Sequence, residues 1–185
     1  MNQDREYYHR HLPHWQPTGA TFFVTFRLKG TLPFEVIRAF KEEREREKKD
    51  VMKLPKDERM KQNYLDERRY FGKWDSVLDK AEFGPRWLSQ PEIAEIIKEA
   101  LHYRNGREYD LFAFCIISNH VHVVFEPLQG RSDWQSDLHN ATPLNKIMQS
   151  LKRYTARKSN IVLGREGSFW QDESYDHVIR DNGEF

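Results

Sequence analysis

Residues 21–28, TFFVTFRL, alternate cleanly. Phe22, Val24, Phe26 and Leu28 fall on one face and Thr21, Phe23, Thr25 and Arg27 on the other, which predicts a strand with one core face. Leu32-Pro33 then opens a helix, because proline is tolerated in a first turn. Its continuation KEEREREKKD (41–50) has no apolar stripe and predicts a solvated helix laced with i,i+4 ion pairs. Residues 51–70 stay polar and helix-prone, so about 41–80 reads as a charged helical insertion or arm. Ser89 as N-cap, Pro91 in the first turn and Glu92 three residues after the cap predict the start of the next helix. Ile93, Ile96, Ile97, Ala100 and Leu101 recur along it at helical spacing, and Asn105-Gly106 ends it.

DLFAFCII (110–117) predicts a fully apolar strand. Ser118-Asn119 then turns the chain into HVHVVFE (120–126), so the two runs form a β-hairpin. A polar loop (128–142) leads to a helix over about 143–160, with Leu144, Ile147, Met148, Leu151 and Thr155 as its buried stripe. SFWQDESYDHVIR supplies a last strand. Strand, helix, helix, strand–strand, helix, strand is the order of an α+β sandwich: an antiparallel sheet with helices packed on one side.

The 185 residues suit a single domain with a proper core, residues 1–18 forming an N-terminal arm. Charged residues make up 32% and the net charge is only +1, so any polyanion site is a local patch. The single Cys115 fits a reducing, cytoplasmic setting. No apolar stretch approaches the ~20 residues that cross a bilayer, and the N-terminus lacks a signal-peptide core.

Within ISNHVHVVFEP, period two puts Val121, Val123 and Phe125 on the core face and His120, His122, Val124 and Glu126 on the other. Both imidazoles project together, ~7 Å apart along the strand, a distance from which their tips can meet at one ion. The same spacing also suits two solvent-facing histidines. On the later helix, Lys146, Arg153 and Arg157 share one exposed face. From 143 to 165 there are six Lys/Arg, including Lys152 and Lys158, and no Asp or Glu. Such a patch is the footprint expected for nucleic acid, the alternative being an ordinary solvated helix with uncompensated charge. Trp170, Gln171, Tyr175 and His177 offer stacking and hydrogen-bonding groups for unpaired bases, and Trp170 equally suits the core. His9, His11 and His14 sit in a terminal segment with Arg5 and Arg10, and read as a DNA-contacting arm or a mobile terminus rather than a second metal site.

These pieces together resemble the REP-associated tyrosine transposases, bacterial relatives of the single-tyrosine HUH transposases. The similarity runs through HLPHWQPTGATFFVTFRL, GPRWLSQPEIAEIIKEALHYRNGREYDLFAFCIISNHVHVVFEP, LNKIMQSLKRYTARKSNIVLG and SFWQDESYDHVIRD. His120-Val121-His122 fills the His–hydrophobic–His motif, with Ser118 where the family usually carries Pro. The resemblance implies a ferredoxin-like α+β fold and a Mg²⁺ or Mn²⁺ ion held by His120 and His122. It implies single-stranded or hairpin DNA as partner and a cytoplasmic, nucleoid-associated protein; the oligomeric state stays open, a monomer being favoured. Arg10, Arg27, Lys146, Lys152, Arg153, Arg157, Lys158, Trp170, Gln171, His177 and Arg180 are the DNA-binding candidates.

The implied chemistry is metal-assisted nicking, a tyrosine attacking the scissile phosphate to leave a 5′-phosphotyrosine link. In the family the nucleophile sits on a helix beyond the segment matched by SFWQDESYDHVIRDNGEF, so no nucleophile is identified among these residues. Tyr154 is a weak alternative, and Tyr175, on a strand-like segment, a poor one. A catalytically silent hairpin-binding module is the competing expectation.

Overall fold

Alternation in residues 21–28 becomes a real strand because each of its two faces meets a different environment. The computed structural model describes residues 7–9, 13–15, 19–128 and 143–179. Two short strands, β1 (Tyr7–His9) and β2 (Pro13–Trp15), pair antiparallel. They are followed by β3 (Phe22–Arg27), α1 (Phe34–Val51), α2 (Lys56–Lys80), a 3₁₀ turn (Trp87–Ser89) and α3 (Pro91–Arg104). β4 (Tyr109–Ile116), β5 (His120–Pro127), α4 (Pro143–Val162) and β6 (Tyr175–Val178) complete the chain. The main sheet has the order β4-β5-β3-β6 with every pair antiparallel. Taken as β3-α3-β4-β5-α4-β6, this is the ferredoxin-like α+β arrangement.

Both helices pack on one face of the sheet. Phe22, Val24, Phe26 and Leu28 of the β3 region and Val121, Val123 and Phe125 of β5 form the core. They meet Ile93, Ile97, Ala100 and Leu101 of α3, and Leu144, Ile147, Met148 and Leu151 of α4. Thr155 and Ser159 extend the α4 stripe, and the Thr155 hydroxyl donates to the Leu151 carbonyl at 2.8 Å. A fully buried side chain of this size contributes ~1.5–3 kcal/mol, so this stripe holds α4 down despite its charged outer face.

Two expectations change. α3 takes Gln90 rather than Ser89 as its N-cap, and no side chain caps it. Pro91 at the first helical position drives Gln90 into extended backbone, leaving Ser89 in the 3₁₀ turn. β4 is an edge strand whose apolar run is buried on one side only. Leu111, Phe114 and Ile116 pack on the core, whereas Phe112, Ala113 and Cys115 are exposed. A bulge between Leu111 and Ala113 makes Phe112 the extra residue and sets it outside the ladder.

The chain leaves the sheet after β3 and returns at α3, and both points are tied to one turn. The Leu28 amide donates to the Asn119 carbonyl at 2.9 Å, and the Leu88 amide to the Ser118 carbonyl at 3.1 Å. Residues Gly30–Arg86 between them form a compact unit of their own, distinct from the unit of Met1–Lys29 and Trp87–Phe185.

In that helical unit α1 and α2 run antiparallel, because Phe40 packs on Tyr70 and Trp74 while Glu47 meets Arg69 at 2.7 Å and Glu43 meets Lys73. The expectation of a purely solvated α1 with internal i,i+4 pairs is therefore revised. Arg38–Glu42 is such a pair, but other carboxylates of the run reach across to α2. Exposed pairs of this kind contribute ~0–1 kcal/mol each, so the aromatic contacts carry more of the pairing. Gly84 is required by geometry: its φ is 71°, and a Cβ there would lie 2.3 Å from the Gly30 carbonyl oxygen.

Candidate metal centre on the second face of the sheet

Period two sends β3 and β5 side chains alternately to the core and to the face opposite α3 and α4. On that second face Thr25 lies opposite His122 and Arg27 opposite His120. β6 adds Tyr175 opposite Thr25 and His177 opposite Phe23, and β4 places Cys115 opposite His122. His120 is 0% exposed and His122 half-buried, which corrects the alternative of two solvent-facing histidines.

The two imidazoles meet tip to tip, His120 Nε2 lying 3.0 Å from His122 Nε2. Their rear nitrogens are held by separate partners. His120 Nδ1 is 2.6 Å from Asn119 Oδ1, and His122 Nδ1 is 2.8 Å from Thr25 Oγ1. An amide oxygen only accepts, so His120 carries its proton on Nδ1 and turns an unprotonated Nε2 toward His122. Two adjacent ligands of an octahedral ion at ~2.1 Å stand ~3.0 Å apart, so the spacing lets both nitrogens reach one six-coordinate cation. The rings are oriented by hydrogen bonds from behind, as metal-binding imidazoles are.

Burial, and secondarily the nearby His122, push the His120 pKa down to about 3 from an ordinary 6.5. The imidazole thus stays neutral and keeps its Nε2 lone pair through the physiological range. The unfolded chain binds a proton at this residue below pH 6.5 while the folded chain does not. This contribution to stability is therefore complete above pH 6.5 and falls as pH drops toward about 3. Urea midpoints at pH 7 and pH 5 should show a loss of about 2 kcal/mol that His120→Gln removes. An equal loss in both proteins would exclude His120 as its origin.

The structure gathers some candidates and disperses others. Arg27 is buried beside His120, and burial pushes its pKa down to about 10, opposed by Glu173. His177 stacks on Phe23 at 5.2 Å between centroids, and Phe23 in turn lies 5.3 Å from the His122 ring. Gln171 donates its backbone N–H to the Arg27 carbonyl. Lys152 is occupied otherwise: its Nζ donates to the carbonyls of Gln171 at 2.6 Å and Asp172 at 2.9 Å, pinning the approach to β6. Of the two readings of Trp170, base-stacking group and core residue, the structure shows the core one. It packs edge-on against Phe26, and its indole N–H donates to Thr155 Oγ1 at 2.9 Å.

Arg153, Arg157 and Lys158 are exposed and Lys146 half-buried, all on α4. That helix packs on the core face, so these cations stand across the sheet from the histidines. Tyr154 shares that separation. It is 46% exposed, with the Arg104 guanidinium 5.6 Å from its ring, and the sheet divides it from the imidazole pair. Arg10 and Arg180 lie outside the described residues.

Two supporting residues escape the sequence: Asn119, adjacent to His120, and Thr25, which is assigned to His122 only by the β3–β5 register. Among the described residues no helix is long and apolar enough to cross a membrane.

No family model matches the chain, and no curated protein matches it in sequence. Among solved structures it is similar to one of the REP-associated tyrosine transposase bound to a REP hairpin, with a TM-score of 0.40 and 12% identity. The match covers 96% of this chain and spans 64% of that one.

Proposed function

We propose that the chain binds single-stranded or hairpin DNA, and that His120 and His122 hold a Mg²⁺ or Mn²⁺ ion at its phosphate backbone. The observation that carries this reading is the Nε2–Nε2 separation of 3.0 Å, with each imidazole anchored from behind. A bound ion would supply charge stabilisation at a phosphodiester oxygen. The protein's own part is to present two neutral nitrogens side by side. Arg27 supplies a fixed positive charge beside them, and the aromatic pair Phe23–His177 a surface against which a base can lie. In this reading the chain is a member of the tyrosine transposases that nick and rejoin DNA, and it acts in the cytoplasm on the nucleoid.

A labelled hairpin oligonucleotide of REP type incubated with Mn²⁺ tests the proposal. Retention on a native gel together with a denaturation-resistant protein–DNA adduct supports nicking. Retention without an adduct identifies a silent binding module, and no retention with or without Mn²⁺ overturns the reading.

The cationic outer face of α4 supplies a second contact with the phosphate backbone, separate from the metal face. Replacing Lys146, Arg153 and Arg157 together by Ala should lower the slope of log K against log salt by ~2 for single strands, and leave Mn²⁺ affinity alone. An unchanged slope would confine DNA to the histidine face.

A further inference from the structure

Of the two groups that end the imidazole chain, only the Thr25 hydroxyl can both donate and accept. Asn119 Oδ1, His120, His122 and Thr25 Oγ1 form a continuous series of contacts at 2.6, 3.0 and 2.8 Å. His120 must donate from Nδ1 to the amide oxygen, so its Nε2 accepts. The 3.0 Å contact then requires the proton on His122 Nε2, which leaves His122 Nδ1 unprotonated and makes the Thr25 hydroxyl the donor. In this arrangement His122 has no lone pair to offer an ion. Moving its proton from Nε2 to Nδ1 exposes that lone pair, and the threonine hydroxyl then accepts instead of donating. No net proton is taken up or released.

We infer that Thr25 is a positioning residue that lets His122 exchange tautomers, with the Nε2–H form closing the pair on itself and the Nδ1–H form opening it to a divalent ion. The inference rests on the metal-binding reading of His120 and His122. Asn119 plays the complementary part, because its amide oxygen keeps His120 permanently in the form that presents Nε2. A hydroxyl fits the Thr25 position for this reason, because a fixed acceptor or a fixed donor would favour one tautomer of His122.

Long-range ¹H–¹⁵N correlation spectra of histidine-labelled protein test this directly. Without metal, His120 should appear as the Nδ1–H tautomer and His122 as the Nε2–H tautomer. Saturating Zn²⁺, used as a diamagnetic probe, should convert His122 to Nδ1–H and leave the His120 protonation pattern unchanged. Thr25→Val should weaken Mn²⁺ binding ~10–100-fold, whereas Thr25→Ser stays within ~3-fold of wild type. A His122 already in the Nδ1–H form without metal, or a Thr25→Val variant that binds Mn²⁺ like wild type, would overturn the role of Thr25 while leaving the metal site standing. Wild-type protein that binds neither Zn²⁺ nor Mn²⁺ would overturn the metal reading and the exchange with it, even with the metal-free tautomers as expected. The spectra of unaltered protein decide the matter if the valine variant does not fold.

Discussion

Replacing His122 by Ala should lower Mn²⁺ affinity ~100-fold or more, as read by the free-ion signal in electron paramagnetic resonance. The expectation follows from chelation. Two nitrogens held 3.0 Å apart bind one ion jointly, and removal of either leaves a single neutral donor. Loss of a supporting hydrogen bond alone typically costs 10–100-fold, so loss of a ligand sets the larger figure. His122 is the better residue to truncate because it is half-buried, whereas His120 is fully enclosed and Ala there also opens a cavity. For His120 the Gln variant keeps the volume and should show a loss of similar size. Mn²⁺ affinity unchanged in both variants would remove this pair from metal binding.

Phe125→Ala should destabilise the fold by about 3–5 kcal/mol in urea titration, with the m-value kept. The ring is 0% exposed, lies opposite Phe22 and Leu111 in the two neighbouring strands, and sits 4.6 Å from the Tyr109 ring. Domains of this size are stable by only ~5–15 kcal/mol, so the variant approaches the limit of folding. Phe112→Ala is the contrast. That side chain is 53% exposed at the bulge and should cost under about 1 kcal/mol. Comparable losses at both positions would contradict the edge-strand description of β4.

Those two phenylalanines mark what the sequence does and does not reveal. Local periodicity encodes faces. The α4 stripe is legible residue by residue because helical spacing alone selects Leu144, Ile147, Met148, Leu151 and Thr155. The alternation in 120–126 likewise separates the core valines from the histidines. Exposure and depth are set by neighbours distant in the chain. DLFAFCII has no alternation to show that one side faces outward, since an edge strand's open side here carries Phe112, Ala113 and Cys115. Trp170 looks available to stack on a base, yet its indole N–H finds Thr155 on α4 and its ring finds Phe26.

The site is half legible for the same reason. His120 and His122 are two residues apart, and any strand brings them together. Thr25 is far away in sequence and becomes the partner of His122 only through the β3–β5 register. Lys152 illustrates the opposite error. A cation on a basic helix suggests a phosphate contact, but the segment before β6 presents its carbonyls to that ammonium first.

The turn Ser118-Asn119 has a consequence for the length of the chain between β3 and α3. Its two carbonyls receive Leu28 and Leu88, so the ends of the excursion are fastened side by side whatever lies between them. In polymer terms the loop is closed at its neck, and each doubling of a flexible loop's length adds only ~0.6 kcal/mol of closure entropy. The crossover is therefore a place where the polypeptide can grow or shrink while the register of the sheet, and with it the meeting of the two imidazoles, stays in place.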